Sequence, residues 1–414
     1  MPPRRPSING VGSRPFPGSR ENMSFLDAVA IVFLAVGTVY WSLVLYFTIR
    51  VIRSVPLLER MDETGNGSGL RVAVIIPVWN QAEDVAGQVR DRLRDDRPNL
   101  EFILVDGGSS DGTAELIDEL AATDERVRAV HVEETPGGWL GKVYAMQRGV
   151  EETAAEWYIF SDADTHVEPG AVERALSLCE KRELDYLAVV PELYRSSYLL
   201  DSIFQVFLRI MLLAERAWAV DRGGGAAVGS AAFHLVRASA LEHAGGLAEL
   251  RFEPSEDVAL AQMIKRSGGR CWLVNGRGFV GVHFHGSLRE AMVESEPGVY
   301  ASLGGFSLGR ICFLALLLLL LELGPYFFFL PLGIPYHEWI GTAAVILGII
   351  VSILVCRWIK LPLGAAFFFP IDIVVVIYLI IRAGIVCRLR DGIWSWGSFY
   401  PTEMLRLGRR FSYR

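Results

Sequence analysis

Phe102-Ile103-Leu104-Val105-Asp106-Gly107-Gly108-Ser109-Ser110-Asp111-Gly112-Thr113 is a four-residue apolar run that breaks into glycine, serine and aspartate. A short continuous apolar run bounded by turn residues reads as a parallel strand buried on both faces. Upstream, Val72-Ala73-Val74-Ile75-Ile76-Pro77 has the same character, and a polar helix-compatible stretch from Gln81 to Arg94 lies between. Downstream, the pattern predicts a helix over Thr113–Ala121 and a strand over Val127–Val132. Strands alternating with helices predict an α/β, doubly wound sheet, which binds ligands beyond the carboxyl ends of its strands. Asp106 then stands at the mouth of a site, although Asp and Gly are also the ordinary residues of a tight turn.

Three later stretches repeat the theme. Pro136-Gly137-Gly138-Trp139-Leu140-Gly141-Lys142 runs into a helix-like Val143–Gly149. Its glycines let backbone approach a ligand, and Lys142 adds a positive charge suited to phosphate; the spacing is not that of a P-loop. Trp157-Tyr158-Ile159-Phe160 reads as a buried strand ending in Ser161-Asp162-Ala163-Asp164. Residues two apart on a strand share a side, so Asp162 and Asp164 can face one ligand. Two hard carboxylates suit Mg²⁺ or Mn²⁺ completed by water and diphosphate oxygens, and the plainer alternative is two solvated turn residues. Pro254-Ser255-Glu256-Asp257 opens an apolar-periodic helix. Ser255 is the expected N-cap, Glu256 and Asp257 oppose the dipole, and Asp257 is a candidate general base.

These stretches, in this order, resemble the inverting family-2 glycosyltransferases of the GT-A fold. The family's PxxNE-like turn, VDDGSxDGT turn, lysine-bearing glycine loop, DxD motif and ED motif correspond to Pro77-Val78-Trp79-Asn80, Val105–Thr113, Gly138–Lys142, Asp162-Ala163-Asp164 and Glu256-Asp257. Gly229-Ser230 opens a segment similar to the family's acceptor-side strand, beside which Glu256 also falls. The resemblance implies that Pro77, Asn80, Asp106, Lys142 and Asp162 serve the donor, Asp106 by touching the nucleotide base. It implies that Asp164, helped by Asp162, holds the metal, and that Asp257 deprotonates the acceptor hydroxyl. Three departures stand out. Gly107 replaces the second Asp of VDDGS, Gln81 replaces the Glu of PxxNE, and no Q/RxxRW motif of processive polysaccharide synthases comes after the ED motif. His283 and His285 read as surface histidines or as a small metal site.

The 414 residues are 51% hydrophobic and 21% charged, so the chain must be segregated into polar and apolar parts. Residues 24–49 exceed the roughly 20 residues needed to span a bilayer, with no cleavage site before Arg50, and read as an anchor. Segments 311–332, 338–356 and 361–382 are further candidates within 309–382, giving two or three spans; Pro370 and Asp372 suggest that the last is broken or re-entrant. The expected layout is a flexible tail (1–23), the anchor, a linker (50–70), a catalytic domain (71–290), a membrane-proximal segment (291–308), the spans, and a basic C-terminal tail (383–414). Within the domain, 199–220 carries Asp201, Gln205, Arg209 and Arg216 as a polar stripe. It reads either as a helix lying in the bilayer surface or as an amphipathic core helix. A net charge of −7 without a basic, aromatic-interleaved patch gives no support for nucleic-acid binding. Five scattered cysteines suit a reduced compartment.

The layout resembles ceramide glucosyltransferases and the bacterial enzymes that glycosylate hopanoids or carotenoids. That resemblance implies transfer from a nucleotide sugar, expected as a UDP-sugar, to a lipid or isoprenoid hydroxyl. The expected setting is an integral protein of the cell membrane with a cytosolic catalytic domain. A polyprenyl phosphate acceptor, a processive synthase, an inactive nucleotide-sugar-binding partner and a transporter remain as alternatives.

Overall fold

The computed structural model describes residues 25–61, 69–222, 224–283, 286–329 and 337–411. The N-terminal tail, linker residues Asn66, Gly67 and Ser68, and His285 lie outside them. Ten strands belong to the catalytic part: β1 (Val72–Val78), β2 (Leu100–Asp106), β3 (Val127–His131), β4 (Trp157–Phe160), β5 (His166–Val167), β6 (Tyr186–Val190), β7 (Glu192–Leu193), β8 (His234–Arg237), β9 (Cys271–Asn275) and β10 (Val280–Val282). The main sheet runs β3-β2-β1-β4-β8-β6-β9, and β5-β10-β7 form a small second sheet. β1 to β4 pair in parallel, while β8 is antiparallel to both β4 and β6, so the sheet is mixed.

The helices come in chain order as α1 (Phe25–Ser54), α2 (Val85–Arg92), α3 (Thr113–Thr123), α4 (Gly141–Glu151), α5 (Ala171–Arg182), α6 (Tyr198–Ala214), α7 (Ala238–His243), α8 (Glu256–Arg266), α9 (Leu288–Pro297), α10 (Leu308–Leu323), α11 (His337–Trp358), α12 (Phe369–Arg390) and α13 (Thr402–Gly408). Both faces of the sheet are covered. Val72, Val74, Ile76 and Val78 pack in one core with Val89, Ile117 and Leu176, and Ala73 and Ile75 in the other with Val143 and Met146. This two-sided burial is why β1 reads as an unbroken apolar run. The polar stretch after β1 yields a shorter helix than the sequence pattern suggests. The Gln81 and Ala82 amides are taken by the Thr113 hydroxyl and the Asp111 carboxylate, which ties this segment to the turn after β2.

Among the described residues, four helices are long and apolar enough to cross a membrane: Ala28–Ser54, Leu308–Tyr326, His337–Trp358 and Leu363–Arg390. Val32, Val39, Phe313, Leu316, Ile346 and Val374 on these helices point outward, an apolar surface that water would not tolerate over such a length. α10 starts beside the C-terminal helix, where Arg406 donates to the Phe306 carbonyl, and runs away from the catalytic domain. α11 comes back, and its Trp358 carbonyl accepts from Asn275 at the end of β9. The last segment does not repeat the journey. It turns at Leu361, reaches Phe369 against Trp41 and Gly348 in the middle of α1 and α11, and returns to Arg390, which pairs with Glu296 of α9. Pro370 and Asp372 thus sit in the first turn of α12 rather than inside a continuous span, where Pro costs no backbone hydrogen bond.

The polar stripe of α6 faces inward. Asp201, Gln205 and Arg209 are buried while Tyr198 and Phe207 are exposed, and the helix ends at Ala214 rather than running to residue 220. Arg209 makes a two-pronged pair with Glu322 of α10 at 3.0 and 2.8 Å, and Tyr40 of α1 donates to the same carboxylate. The Ser202 hydroxyl lies within hydrogen-bond reach of two acceptors, the Asp372 carboxylate and the Ala365 carbonyl. Removing one partner of a buried pair strands the other charge, so Arg209→Ala or Glu322→Ala lowers stability by about 3–5 kcal/mol. Arg209→Met combined with Glu322→Leu should recover most of it. Thermal unfolding in detergent reads both, and a double variant no better than the singles would contradict the seam.

The residues after α12 are not a free tail. β11 (Gly392–Ser395) and β12 (Ser398–Pro401) form a hairpin that folds back onto the catalytic sheet, with Tyr400 buried.

Candidate active site

Lys142 lies in the first turn of α4, which begins at Gly141 because Leu140 is extended there. Its ammonium sits 2.7 Å from Asp162 and 2.7 Å from Glu256, joining the loop after β4 to the start of α8. The sequence pattern expects Lys142 at donor phosphates. In this structure it ties Asp162 to Glu256, and the pair of carboxylates holds its pKa above the usual lysine range despite burial.

Asp162 and Asp164 come just after β4 with the intervening Ala163 buried, so both carboxylates are held at the strand end. Burial, then the neighbouring Asp162 charge, pushes Asp164 up to about 6. A divalent cation relieves that repulsion, and two hard oxygen donors leave most of its coordination to substrate and water, so the residues fit Mg²⁺ or Mn²⁺. Among the described residues no third His, Cys, Asp or Glu joins them as a ligand set.

The loop is fixed by a residue that no sequence motif marks. Arg92, 3% exposed, donates from Nη2 to the Asp162 carbonyl at 2.7 Å, the Thr165 carbonyl at 2.6 Å and the Ser161 hydroxyl at 3.2 Å. Burial pulls its pKa down to about 10 while Asp164 and Asp162 oppose the shift. A signal existed: Val85, Val89 and Arg92 fall on one buried helical stripe, where an arginine needs partners.

Asp257 is half-buried at the start of α8. Burial, then the Glu256 charge, pushes it up to about 7. Gly229 makes its placement possible, since a Cβ there would lie 2.3 Å from the Asp257 carbonyl carbon and the Val258 nitrogen. Gly229→Ala must therefore push Asp257 aside. A displacement near 1 Å can cost about 10²-fold in turnover, so steady-state rates should fall by that order while nucleotide affinity stays. Ser230 is structural, its hydroxyl donating to the Val189 carbonyl at 2.6 Å. Ser255 is not the side-chain cap that its position suggests. Its hydroxyl is 2.7 Å from Ser302 instead. Tyr186 Oη, His234 Nε2 and Glu215 Oε1 are buried near these groups without partners among the described residues, and the Asp257 charge acts on both Tyr186 and Glu215.

Other expected donor residues lie at the carboxyl ends of β1 and β2. Pro77 is in β1 opposite Val105. Asn80, in a left-handed conformation, receives the Ser110 amide on its side chain and gives its own amide to Ser109. The Asp106 carboxylate, 4% exposed, accepts from the Gly108 and Ser109 amides at 3.2 and 3.1 Å, so its visible work is to close the turn. His283 packs on the Tyr194 ring. A broad depression lined by Arg71, Arg97 and Glu152 gathers none of these groups and lies at the amino ends of the strands.

Residues 73–244 match the family model of glycosyl transferase family 2. A mannosyltransferase from Pyrobaculum calidifontis, solved with GDP-Man and Mn²⁺, superposes with a TM-score of 0.53 at 19% identity over 89% of this chain and 99% of that one. The fold is GT-A. Glycosyltransferase GlyG of Streptococcus pneumoniae is 27% identical over 114 residues, 28% of this chain and 36% of its own length. Undecaprenyl-phosphate mannosyltransferase of Micrococcus luteus is 32% identical over 115 residues, 28% of this chain and 46% of its own. The chain thus spans less than half the length of either relative.

Proposed function

We propose that the protein transfers a sugar from a nucleotide-sugar donor, a UDP-sugar in the first instance, to the hydroxyl of a membrane lipid or isoprenoid, inverting the anomeric carbon. The observation that carries this reading is Lys142, bound at once to Asp162 of the metal motif and Glu256 of the base motif. Donor and acceptor carboxylates are thereby held about one lysine head apart, as a single displacement requires. Asp162 and Asp164 would hold Mg²⁺ or Mn²⁺, which supplies charge neutralisation for the diphosphate leaving group. Asp257 takes the proton of the acceptor hydroxyl as its oxygen bonds to the anomeric carbon. The bond from that carbon to the diphosphate breaks on the opposite face, so an α-linked donor gives a β-linked product.

Membrane attachment through the four apolar helices brings a lipid acceptor to the domain. The C-terminal hairpin rests on the catalytic sheet, so an even number of crossings separates the two; α10 and α11 supply that pair, and 363–390 is re-entrant. Arg50, Arg53, Arg357, Lys360, Arg388, Arg390, Arg406 and Arg410 then all flank the catalytic side, against Arg4, Arg5, Arg14 and Arg20 ahead of the anchor, and the positive-inside rule favours the cytosol for the side with the excess. A cysteine placed at Gly69 or at Leu407, which is exposed on the C-terminal helix, should react with the same side-restricted reagent in sealed vesicles, and opposite reactivity would break this topology.

Transfer to a polyprenyl phosphate is a second reading, favoured by the name of the Micrococcus relative. A phosphate acceptor is already ionised at pH 7 and needs no base, whereas Asp257 is tuned near neutrality. Mild acid separates the two: a glycoside of an ordinary hydroxyl survives it, and a polyprenyl-phosphate sugar releases free sugar.

A further inference from the structure

We infer that Trp396, on the C-terminal hairpin, forms the aromatic wall on which the nucleotide base of the donor packs, in place of the carboxylate that is missing at Gly107. The inference rests on the nucleotide-sugar reading and deepens it at the donor site. The indole lies across the carboxyl ends of the parallel strands, where ligands of such sheets bind. A Cβ added to Gly107 would lie 2.7 Å from its Cζ3 and 2.8 Å from its Cε3, and one added to Gly141 would lie 3.2 Å from its Cβ. No side chain fits at Gly107 while Trp396 is there. The glycine after Asp106 and the tryptophan far along the chain are therefore one exchange.

Two observations show that the indole is held there rather than resting by chance. Ser395 pairs with Ser398, leaving Trp396-Gly397 as a two-residue turn with φ of 49 and 68. Such turns favour Asn-Gly or Asp-Gly, and a bulky aromatic in the left-handed region is an outlier. Backbone of that kind persists where the surroundings enforce it, and it clusters at ligand sites. The surroundings do enforce it. The Tyr400 hydroxyl of β12 receives the Gly141 amide at 3.0 Å, and Gly397 packs on Trp79 just beyond the end of β1. The hairpin is thus tied to the start of α4, one residue before Lys142, and to the turn after β1. Trp396 itself is only half-buried, so part of its ring remains open to a flat partner.

A nucleobase is that partner. Every base presents a π-face, and base–aromatic stacking is lost as about a 5- to 150-fold drop in affinity when the ring is removed. The test uses the full-length protein in detergent with Mn²⁺, titrated with UDP, GDP and inorganic pyrophosphate by calorimetry. Trp396→Asn is the informative variant, because Asn-Gly is the favoured turn and keeps the hairpin formed while the indole is removed. It should weaken the preferred nucleoside diphosphate about 5- to 150-fold and leave pyrophosphate within about 2-fold, and Trp396→Phe should restore most of the loss. Equal weakening of nucleotide and pyrophosphate would show that the hairpin acts on the phosphate loop instead, and would overturn the inference. Unchanged or tighter nucleotide binding would do the same, making Trp396 a plug. Wild-type protein that binds pyrophosphate but no nucleoside diphosphate more tightly would remove the nucleotide-sugar reading itself.

Discussion

Asp257→Asn will lower sugar transfer by about 10²–10⁴-fold while leaving the affinity for the nucleotide sugar within a few-fold of wild type. That range is what a positioned general base contributes, and under the proposed function Asp257 meets the acceptor hydroxyl rather than the nucleotide. The wild-type pH profile supplies an independent check. A base works only when deprotonated, and burial with Glu256 alongside pushes Asp257 up to about 7. The rate constant kcat/KM should therefore rise with pH through about 7 and level above it, far from the usual carboxylate value. In Asp257→Asn that limb should vanish. Glu256→Gln should behave differently from a first-turn carboxylate at a solvated helix end. Its side chain is 9% exposed and bound to Lys142 at 2.7 Å, so losing it costs stability, about 1.5–3 kcal/mol, even without substrate. If Glu256→Gln removes the pH limb and Asp257→Asn keeps it, the two carboxylates have exchanged roles.

Asp164→Asn is the second large effect. Taking one charge from a two-carboxylate site should weaken Mn²⁺ binding below detection at millimolar concentration and reduce transfer by about 10²–10⁴-fold, several kcal/mol of lost stabilisation of the leaving diphosphate. Asp164 stands at about 6 because burial and Asp162 oppose its ionisation. Protons compete with the metal for it, so Mn²⁺ affinity should fall as pH drops through about 6 and be flat above about 7. Excess EDTA should reproduce the variant in the wild-type protein. Transfer that continues undiminished in EDTA removes the metal from the scheme, and the Asp162–Lys142 pair is then the whole electrostatic apparatus.

The strands and their motifs were legible because a buried parallel strand writes itself as an uninterrupted apolar run, and Val72–Val78 and Trp157–Phe160 are such runs. Asp162, Asp164, Glu256 and Asp257 stood out because they fall, at short spacing and in order, where the family-2 resemblance has its DxD and ED motifs. What the sequence hid depends on partners far along the chain. Arg92 looked like one more charge on a polar helix, since only the fold brings the Asp162 and Thr165 carbonyls to it. Lys142 reads as a phosphate ligand in isolation, and its bond to Glu256 joins segments distant in the chain. α6 was ambiguous for a physical reason: a polar stripe on an apolar helix faces water in a soluble domain and faces inward in a bundle with an apolar exterior. Glu322 and Asp372, lone acids in apolar segments, were the clue to the second case. Trp394, Trp396, Phe399 and Tyr400 likewise marked residues 392–401 as structured, under an arginine content that suggested a tail.

The central claim, sugar transfer from a nucleotide to a lipid hydroxyl, is tested most directly by phase partition. Purified protein with Mn²⁺ and a total lipid extract is incubated with UDP-sugars and GDP-sugars carrying label in the sugar, and the organic phase is counted and analysed by mass spectrometry. The account predicts label in a neutral, acid-stable lipid glycoside with a β linkage, formed by the wild type and not by Asp257→Asn. Label that stays in water for every donor, or that enters the organic phase equally well with Asp257→Asn, would contradict it.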